Sequence, residues 1–588
     1  DNGSVYASLS YMDNDGMYYG DKDWMKRITF QLNGDYKIKK WLTFTTNNTI
    51  ESSRYQKQTD GVGTGNQAIN PYGMDPLLPA FYDKDNLPAY MTELIAQQGD
   101  DLFMKNGNGD YVAVPFAAKD ATSPLTHYYS NTGNHKDFAL RGTSSLILTP
   151  VKGLTVTSRV GYRLESTNYS FYGEPTYMAV SSRTNLQLEG KTTMNRFYMW
   201  ENFANYNRTF GKHAISAMVG MAYQYEWSNY TSGSTNGLTN DADNFHHLDY
   251  ASADATKGVG GKVGESSSIS YFGRIGYTFD DRYNIMVNFR ADAFDRSKLD
   301  KKARWGYFPS VSAGWTLSNE PFLKDALKDV ASIRLRASWG KSGNNDIGNY
   351  ASLAGISSGS YAFGQTPVST TYEGSFTDAA LGWETTRQTN VGIDLGFFNG
   401  RLNVIGNWYN SISTDILYKY PISSISGATS TTTNMSGAKI RNRGFDVQLD
   451  ARLLTGKVNW NFSTNISVNR NKVVSMGGLD DIISTTERSV GSHITKEGKP
   501  IGSQAVGIMS KADYANALLD RDVYIKNGNK FPEGYQLKGP AVASYALDNL
   551  SYGNAIWKDA NGDGVITTDD KTIIGDAYPD FTGGFSTS

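Results

Sequence analysis

The chain has 588 residues with Gly 60, Tyr 38, Phe 26, Trp 11 and no Cys, and its 19% charged residues leave a formal net charge of only -2. That balance excludes a nucleic-acid binder resting on an excess of Lys and Arg, and the missing Cys excludes a disulfide-stapled or thiolate-zinc fold. A mean hydropathy of -0.47, with no apolar run approaching the roughly 18 residues of a spanning helix, excludes a helical membrane protein.

In chain order, the opening DNGSVYASLSYMDNDG lacks the basic start and apolar core of a signal peptide. A tight turn is expected near Asp35, then a long connection over 54–135 containing the Gly-rich DGVGTGNQ (60–67). Further tight turns are expected at Pro150 to Gly153, Gly211-Lys212 and Asp280-Asp281, where Gly, Asn, Asp and Pro supply hairpin φ angles. Between them lie long connections over 169–192 and 231–265. The second holds KGVGGKVGE (257–265), which has no following GK[ST] and helix to use its amides on phosphate and reads as flexible loop. It also holds His246-His247 near Asp241, Asp243 and Asp249; neighbours on an extended chain point opposite ways, so a polar loop is favoured over a metal cluster.

Strict two-residue alternation then recurs. Tyr283, Ile285, Val287 and Phe289 alternate with Asn284, Asn288 and Arg290, and a short helix is expected around Phe322 to Val330. Ile333, Leu335, Ala337 and Trp339 alternate with Arg334, Arg336 and Ser338. After a long connection over 343–380 come Val391, Ile393, Leu395 and Phe397 against Gly392, Asp394 and Gly396. A turn at Asn399-Gly400, a connection over 418–436, and Phe445, Val447 and Leu449 against Asp446, Gln448 and Asp450 follow. Past a turn at Thr455-Gly456, Trp460, Phe462, Ile466 and Val468 alternate with Asn461, Ser463, Asn465 and Ser467, and the last connection covers 473–578. Each alternation gives a strand with one apolar and one polar face.

Counting these segments gives about 16 strands joined alternately by tight turns and long connections. A bilayer cannot satisfy backbone N–H and C=O groups, so a spanning sheet must close on itself, and its hairpins open alternately to the two sides. The fold class expected is all-β, a transmembrane antiparallel β-barrel with long extracellular loops and short periplasmic turns, surrounded by outer-membrane lipid. A soluble all-β protein with a half-buried sheet is the alternative. The final segment, Asp580 to Ser588, reads as part of a strand, so the chain is expected to be an interior portion of a larger barrel.

Four stretches resemble the SusC/RagA family of TonB-dependent outer-membrane transporters of Bacteroidetes: RWGYFPSVSAGWTLSNEPFLKD (304–325), IRLRASWGKSGNNDIGNY (333–350), LGWETTRQTNVGIDLGFFNGRLNVIGNWYN (381–410) and DANGDGVITTDDKTIIGDAYPDFTGGFS (559–586). The resemblance implies a 22-stranded barrel of which this chain supplies the barrel portion over 1–588, without signal peptide, regulatory-like domain, plug or last strands. It also implies an active importer of nutrient oligomers, glycan before peptide. Its implied partners are a SusD-like surface lipoprotein as lid and TonB-ExbB-ExbD as energy source. A passive porin or adhesin barrel, and a secreted calcium-stabilised carbohydrate-active enzyme, are the alternatives. No catalytic residue, nucleophile elbow or organic cofactor is expected.

Two sets of site residues stand out. Asp559, Asn561, Asp563, Val565, Thr567 and Asp570 have the spacing of a Ca²⁺ loop, with Gly564 where the chain must turn; a solvated Asx-rich turn fits the same residues. Tyr350, Tyr361, Phe363 and Tyr372, in one long connection, offer aromatic faces for stacking on substrate, and Tyr514, Tyr524, Tyr535, Tyr545 and Tyr552 in the last connection either do the same or pack that loop.

Overall fold

The computed structural model describes residues 2–16, 22–57, 77–115, 123–178, 182–238, 247–295, 303–328, 330–347, 356–373, 376, 378, 381–423, 425, 430–477, 482–483, 493–494, 501–543, 551–573 and 579–588. One 16-stranded antiparallel sheet dominates it. Its strands are β1 (Gly3–Asp15), β2 (Trp24–Lys39), β3 (Leu42–Gln56), β4 (Asn131–Val151), β5 (Leu154–Gly173), β6 (Gln187–Phe210), β7 (His213–Thr235) and β8 (Lys257–Phe279). They continue as β9 (Tyr283–Phe294), β10 (Trp305–Thr316), β11 (Ala331–Asn344), β12 (Glu384–Phe397), β13 (Leu402–Pro421), β14 (Ser430–Leu454), β15 (Trp460–Met476) and β16 (Thr582–Thr587). Every strand pairs with its predecessor in this series, an up-and-down order.

The register assigns the two faces. Phe30 pairs with Ile50, Ile50 with Leu140 and Leu140 with Leu164, while the next positions pair Thr49 with Arg141 and Arg141 with Arg163. Directly opposed residues share a face and successive residues do not, so most apolar side chains fall on one face and most charged ones on the other. The apolar face is bare: Val219 is 67% exposed and Ile275 64%. A dry interior would hide these side chains, so the alternation belongs to a sheet whose apolar side meets lipid.

At the short-turn end the turns fall as expected with one exception. Gly153 and Gly211 have φ of 90° and 56°, and Asp280, Asp281, Phe398 and Asn399 also take positive φ, the left-handed geometry that tight hairpins need. The turn expected near Asp35 lies instead at Lys40-Trp41, because Asp35 is paired with both Ser4 and Thr45 within β2. The helix expected from Phe322 to Val330 is α3 (Pro321–Leu327, 7 residues), preceded by Glu320. That carboxylate is 4% exposed and accepts hydrogen bonds from Arg282 (2.7 Å), Tyr283 Oη (2.5 Å) and Trp315 Nε1 (2.9 Å), tying the turn to two aromatic side chains.

At the other end the strands run farther than their alternation. KGVGGKVGE is the start of β8 rather than a loop, paired along its length with β7. The connection between β3 and β4 holds α1 (Ala89–Gln98) and α2 (Pro124–Ser130). Met91, Phe103 and Val114 there form a small buried cluster with Tyr90, Tyr111 and Tyr177 packed on it.

Candidate functional site

The polar face of the sheet is held by charge pairs that cross strands. Arg141 donates to Glu165 (2.9 Å), Arg163 reaches Glu226 (3.4 Å), and Arg336 grips Asp394 through Nε and Nη2, at 2.9 and 2.7 Å, while also donating to Asn407. Asp446 accepts from Ser467 (2.5 Å) and Asp450 from Ser463 (2.5 Å). Arg336, Asp394, Asp446 and Asp450 are therefore paired within the wall, which sets its polarity without leaving their charges bare.

Toward the long-loop end the same face carries a ladder of rings that no single strand reveals. Tyr55, His135 and Tyr169 are successive partners in the register. Their rings lie 4.5 Å and 4.7 Å apart, and Lys191 stands opposite Tyr169 on the next strand. Only cross-strand register brings them together, so sequence spacing carries no signal of it. Nearby, two cations converge on the C-terminal carbonyls of α2. Lys22 donates to the oxygens of Tyr128 (2.9 Å) and Asn131 (3.0 Å), and Arg183 to the oxygens of Ser130 (3.3 Å) and Glu174 (2.6 Å). This is the favourable placement of positive charge at a helix C-terminus. Buried beside them, His127 has its pKa pushed down to about 4 by desolvation and then by the charge of Arg183.

The expected aromatic residues meet on one small hairpin, Ile356–Phe363 paired with Thr366–Glu373. Tyr361 opposes Val368 and Ser357 opposes Tyr372, so Tyr361, Phe363, Val368 and Tyr372 share one face. Tyr361, Phe363 and Tyr372 are 62%, 66% and 51% exposed, and the first two rings meet edge to face at 5.2 Å. A Cβ on Gly359 would lie 3.1 Å from the Tyr372 ring, so its absence leaves room for that ring to lie across the strand. Tyr350 lies outside the described residues, as do Tyr545, His246, Asp241 and Asp243.

The last connection is more structured than its sequence suggests. α4 (Lys511–Lys526) starts on a capping box between Ser510 and Asp513, an S-x-x-D signal that would have located it. Its Asp520 is fully buried and accepts from Tyr535 Oη (2.8 Å) and the amide of Gly539 (2.8 Å). Tyr514 packs on Tyr552 and Tyr535 on Phe531, so these tyrosines hold the loop together.

The loop expected to bind Ca²⁺ is folded on its own amides. Asp559 accepts from the N–H of Gly562 and Gly564 (both 2.7 Å), Asp563 from Val565 (2.7 Å), and Asn561 from the N–H of Asp563 (2.9 Å). Asp570, 1% exposed, accepts from the N–H of Ala560 (2.9 Å) and Thr567 (2.7 Å). Burial works to raise the Asp570 carboxyl, but the backbone donors outweigh it and hold it below the usual carboxylate range. Among the described residues no three His, Asp or Glu side chains stand in an arrangement that could hold a metal ion. The residues that suggest a cation loop thus make hydrogen bonds that suffice for an Asx-type turn.

Residues 81–578 match the family described as TonB dependent receptor-like, beta-barrel. The chain belongs to that family. Within it the chain is similar to receptors of the SusC and RagA kind. It is 26% identical over 603 residues to TonB-dependent receptor P39 of Formosa agariphila, covering 99% of this chain and 53% of that protein. It is 29% identical over 312 residues to TonB-dependent receptor SusC of Bacteroides thetaiotaomicron, covering 52% of this chain and 28% of that receptor. The structure of the RagAB peptide transporter superposes with a TM-score of 0.73 at 21% identity, over 100% of this chain and 58% of that one. The chain thus spans about half the length of the P39 receptor. For this barrel, the apolar face is the lipid side, the polar face the lumen, the tight turns periplasmic and the long loops extracellular.

Proposed function

We propose that this chain forms most of the wall of an outer-membrane importer that takes up nutrient oligomers, glycans in preference to peptides, energised through TonB-ExbB-ExbD and covered outside by a SusD-like lipoprotein. The observation that carries the reading is the register itself. One face is mostly apolar and bare over the span next to the short turns while the opposite face is lined by paired Arg, Asp and Glu, the division that an import barrel requires. A barrel of this width needs an internal plug to be selective, and the polar wall offers it hydrogen-bonding and charged partners.

The glycan preference rests on the hairpin at Ile356–Glu373. Its aromatic face carries no charged side chain, which suits the C–H face of a sugar ring, whereas the ends of a short peptide call for charged partners. The ring ladder of Tyr55, His135 and Tyr169 adds a separate aromatic surface on the lumen wall.

The test is growth and uptake. Cells carrying the complete gene should accumulate a labelled oligosaccharide, lose that uptake when TonB or the adjacent lipoprotein gene is deleted, and yield the lipoprotein on copurification in detergent. Uptake that survives loss of TonB would make the protein a passive pore, and uptake of oligopeptides alone would reverse the substrate class.

A further inference from the structure

On the lipid side, each of three neighbouring strands ends its apolar series in a cation. Along β2 the outward positions run Leu32, Phe30, Ile28 and then Lys26; along β3, Ile50, Ser52 and then Arg54; along β4, Leu140, Phe138 and then Lys136. The register sets Lys26 directly opposite Arg54 and Arg54 directly opposite Lys136, and all three are exposed. Side chains so placed have Cβ atoms about 4.5–5.5 Å apart, where like charges repel and destabilise the sheet. Asp13, opposite Lys26, relieves one end at 3.4 Å; Arg54 and Lys136 have no ion pair among the described residues.

The height of the row matters. Arg54 stands 12 residues beyond Leu42, at the periplasmic turn. A strand tilted by about 40° climbs roughly 2.5 Å per residue, so Arg54 lies about 30 Å up, just above an apolar band about 25 Å tall. The pattern recurs on the far side of the sheet. Beyond Phe445 and Val468, Arg443 opposes Arg470 and Arg441 opposes Lys472. Asp580 answers Arg470 at 2.8 Å, and the Nε of Arg441 is buried with no hydrogen-bond partner among the described residues.

We propose that these two outward-facing basic rows bind phosphorylated lipid headgroups in the outer leaflet of the membrane around the barrel. The repulsion within each row needs an anion that sits between adjacent cations, and a phosphate accepts from Arg and Lys together. The occupant is a lipid because the rows begin where the hydrocarbon-facing side chains stop and point the same way, so any ligand there continues the lipid surface. Each basic side chain near an anionic membrane surface contributes attraction that depends on salt. The proposal rests on the membrane reading of the apolar face, and a protein that remained dispersed without detergent would refute that reading separately.

The test uses the full-length protein in an uncharged detergent, with diphosphorylated lipid A, fully dephosphorylated lipid A, or inorganic phosphate at matched phosphate concentration. Thermal unfolding is followed by intrinsic fluorescence. The phosphorylated lipid should raise Tm and the other two additions should leave it in place. Arg54→Ser with Lys136→Ser, and separately Arg443→Ser with Arg470→Ser, should each lose a large part of that rise while unfolding normally without lipid; Lys152→Ser, at the periplasmic turn, should keep all of it. An equal rise with the dephosphorylated lipid, an unchanged rise in both double variants, or an equal rise with inorganic phosphate would each overturn the assignment. If a double variant unfolds early without lipid, native mass spectrometry of lipid retained by the wild type, with and without phosphate groups, decides the matter.

Discussion

Two buried groups in the outer loops carry separable predictions. Asp570 is hidden from solvent and accepts from the backbone of three residues. Asp570→Ala strips those amides of their acceptor, at about 1–3 kcal/mol for a buried donor left unsatisfied. Hydrogen exchange should therefore rise locally over 555–573 with the barrel strands unchanged. His127 acts through pH. Its folded pKa of about 4 lies below the ordinary 6.5, so the unfolded loop binds the proton first; the stability from keeping His127 neutral is complete above about pH 6.5 and is lost as pH falls toward 4. The neighbouring cations Lys22 and Arg183 keep their charge throughout that window, and the His127→Gln variant separates the imidazole from any carboxylate that protonates at its lower end. Protection at α2, taken relative to the intrinsic exchange rate at each pH, should fall on acidification through that range in the wild type and stay flat in His127→Gln. At this scale the sequence was half legible: the spacing of Asp559, Asn561, Asp563 and Asp570 marked a structured loop, but a cation ligand and an amide acceptor are the same oxygen, so spacing could not say which role it fills.

Among the elements, the hairpin at Ile356–Glu373 and the upper parts of β6, β7 and β8 show no strand signal in the sequence for one reason. Alternation marks a strand only where its faces meet different surroundings. Above the lipid both faces of β8 are in water, so Lys257–Glu265 can be Gly, Val, Lys and Glu in no apolar rhythm while still pairing along its length. The lipid-crossing parts, such as Ile333–Trp339 and Val391–Phe397, were legible because the bilayer enforces the contrast. The hairpin's aromatic residues were picked out by type, and only its register shows Tyr361, Phe363 and Tyr372 on one side. If the transported oligomer is a glycan, as proposed, Tyr361→Ser with Phe363→Ser should weaken its binding by about tenfold or more, since losing a stacked aromatic contact costs on the order of 1.5 kcal/mol. Both side chains are mostly exposed, so Tm should hold. Isothermal titration against the oligosaccharide that the uptake assay identifies checks the affinity and a thermal melt checks the Tm, and unchanged affinity would remove the hairpin from the binding surface.

For the whole molecule, the division into lipid side and lumen side makes two positions on one strand respond unequally to the same substitution. Val219 on β7 is 67% exposed on the apolar face, six residues beyond His213 at the periplasmic turn, and so sits near the middle of the hydrocarbon. Gln224, five residues on, points to the polar face opposite Met199 and Ser268. Arg at a lipid-facing midplane position costs about 2–4 kcal/mol, whereas in the lumen a guanidinium keeps its water and meets Glu226 two residues along the same face. Val219→Arg should therefore lower the denaturant midpoint of the full-length protein folded into phosphatidylcholine vesicles, and Gln224→Arg should leave it nearly unchanged. In a soluble sheet with its apolar side packed on protein, Val219→Arg would bury an unpaired charge against a solid core. Assembly would then fail equally with and without lipid. Measuring both variants in vesicles and in detergent thus separates a wall that faces hydrocarbon from one that faces its own interior: in the first case the penalty shrinks in detergent, where water reaches the guanidinium, and in the second it does not.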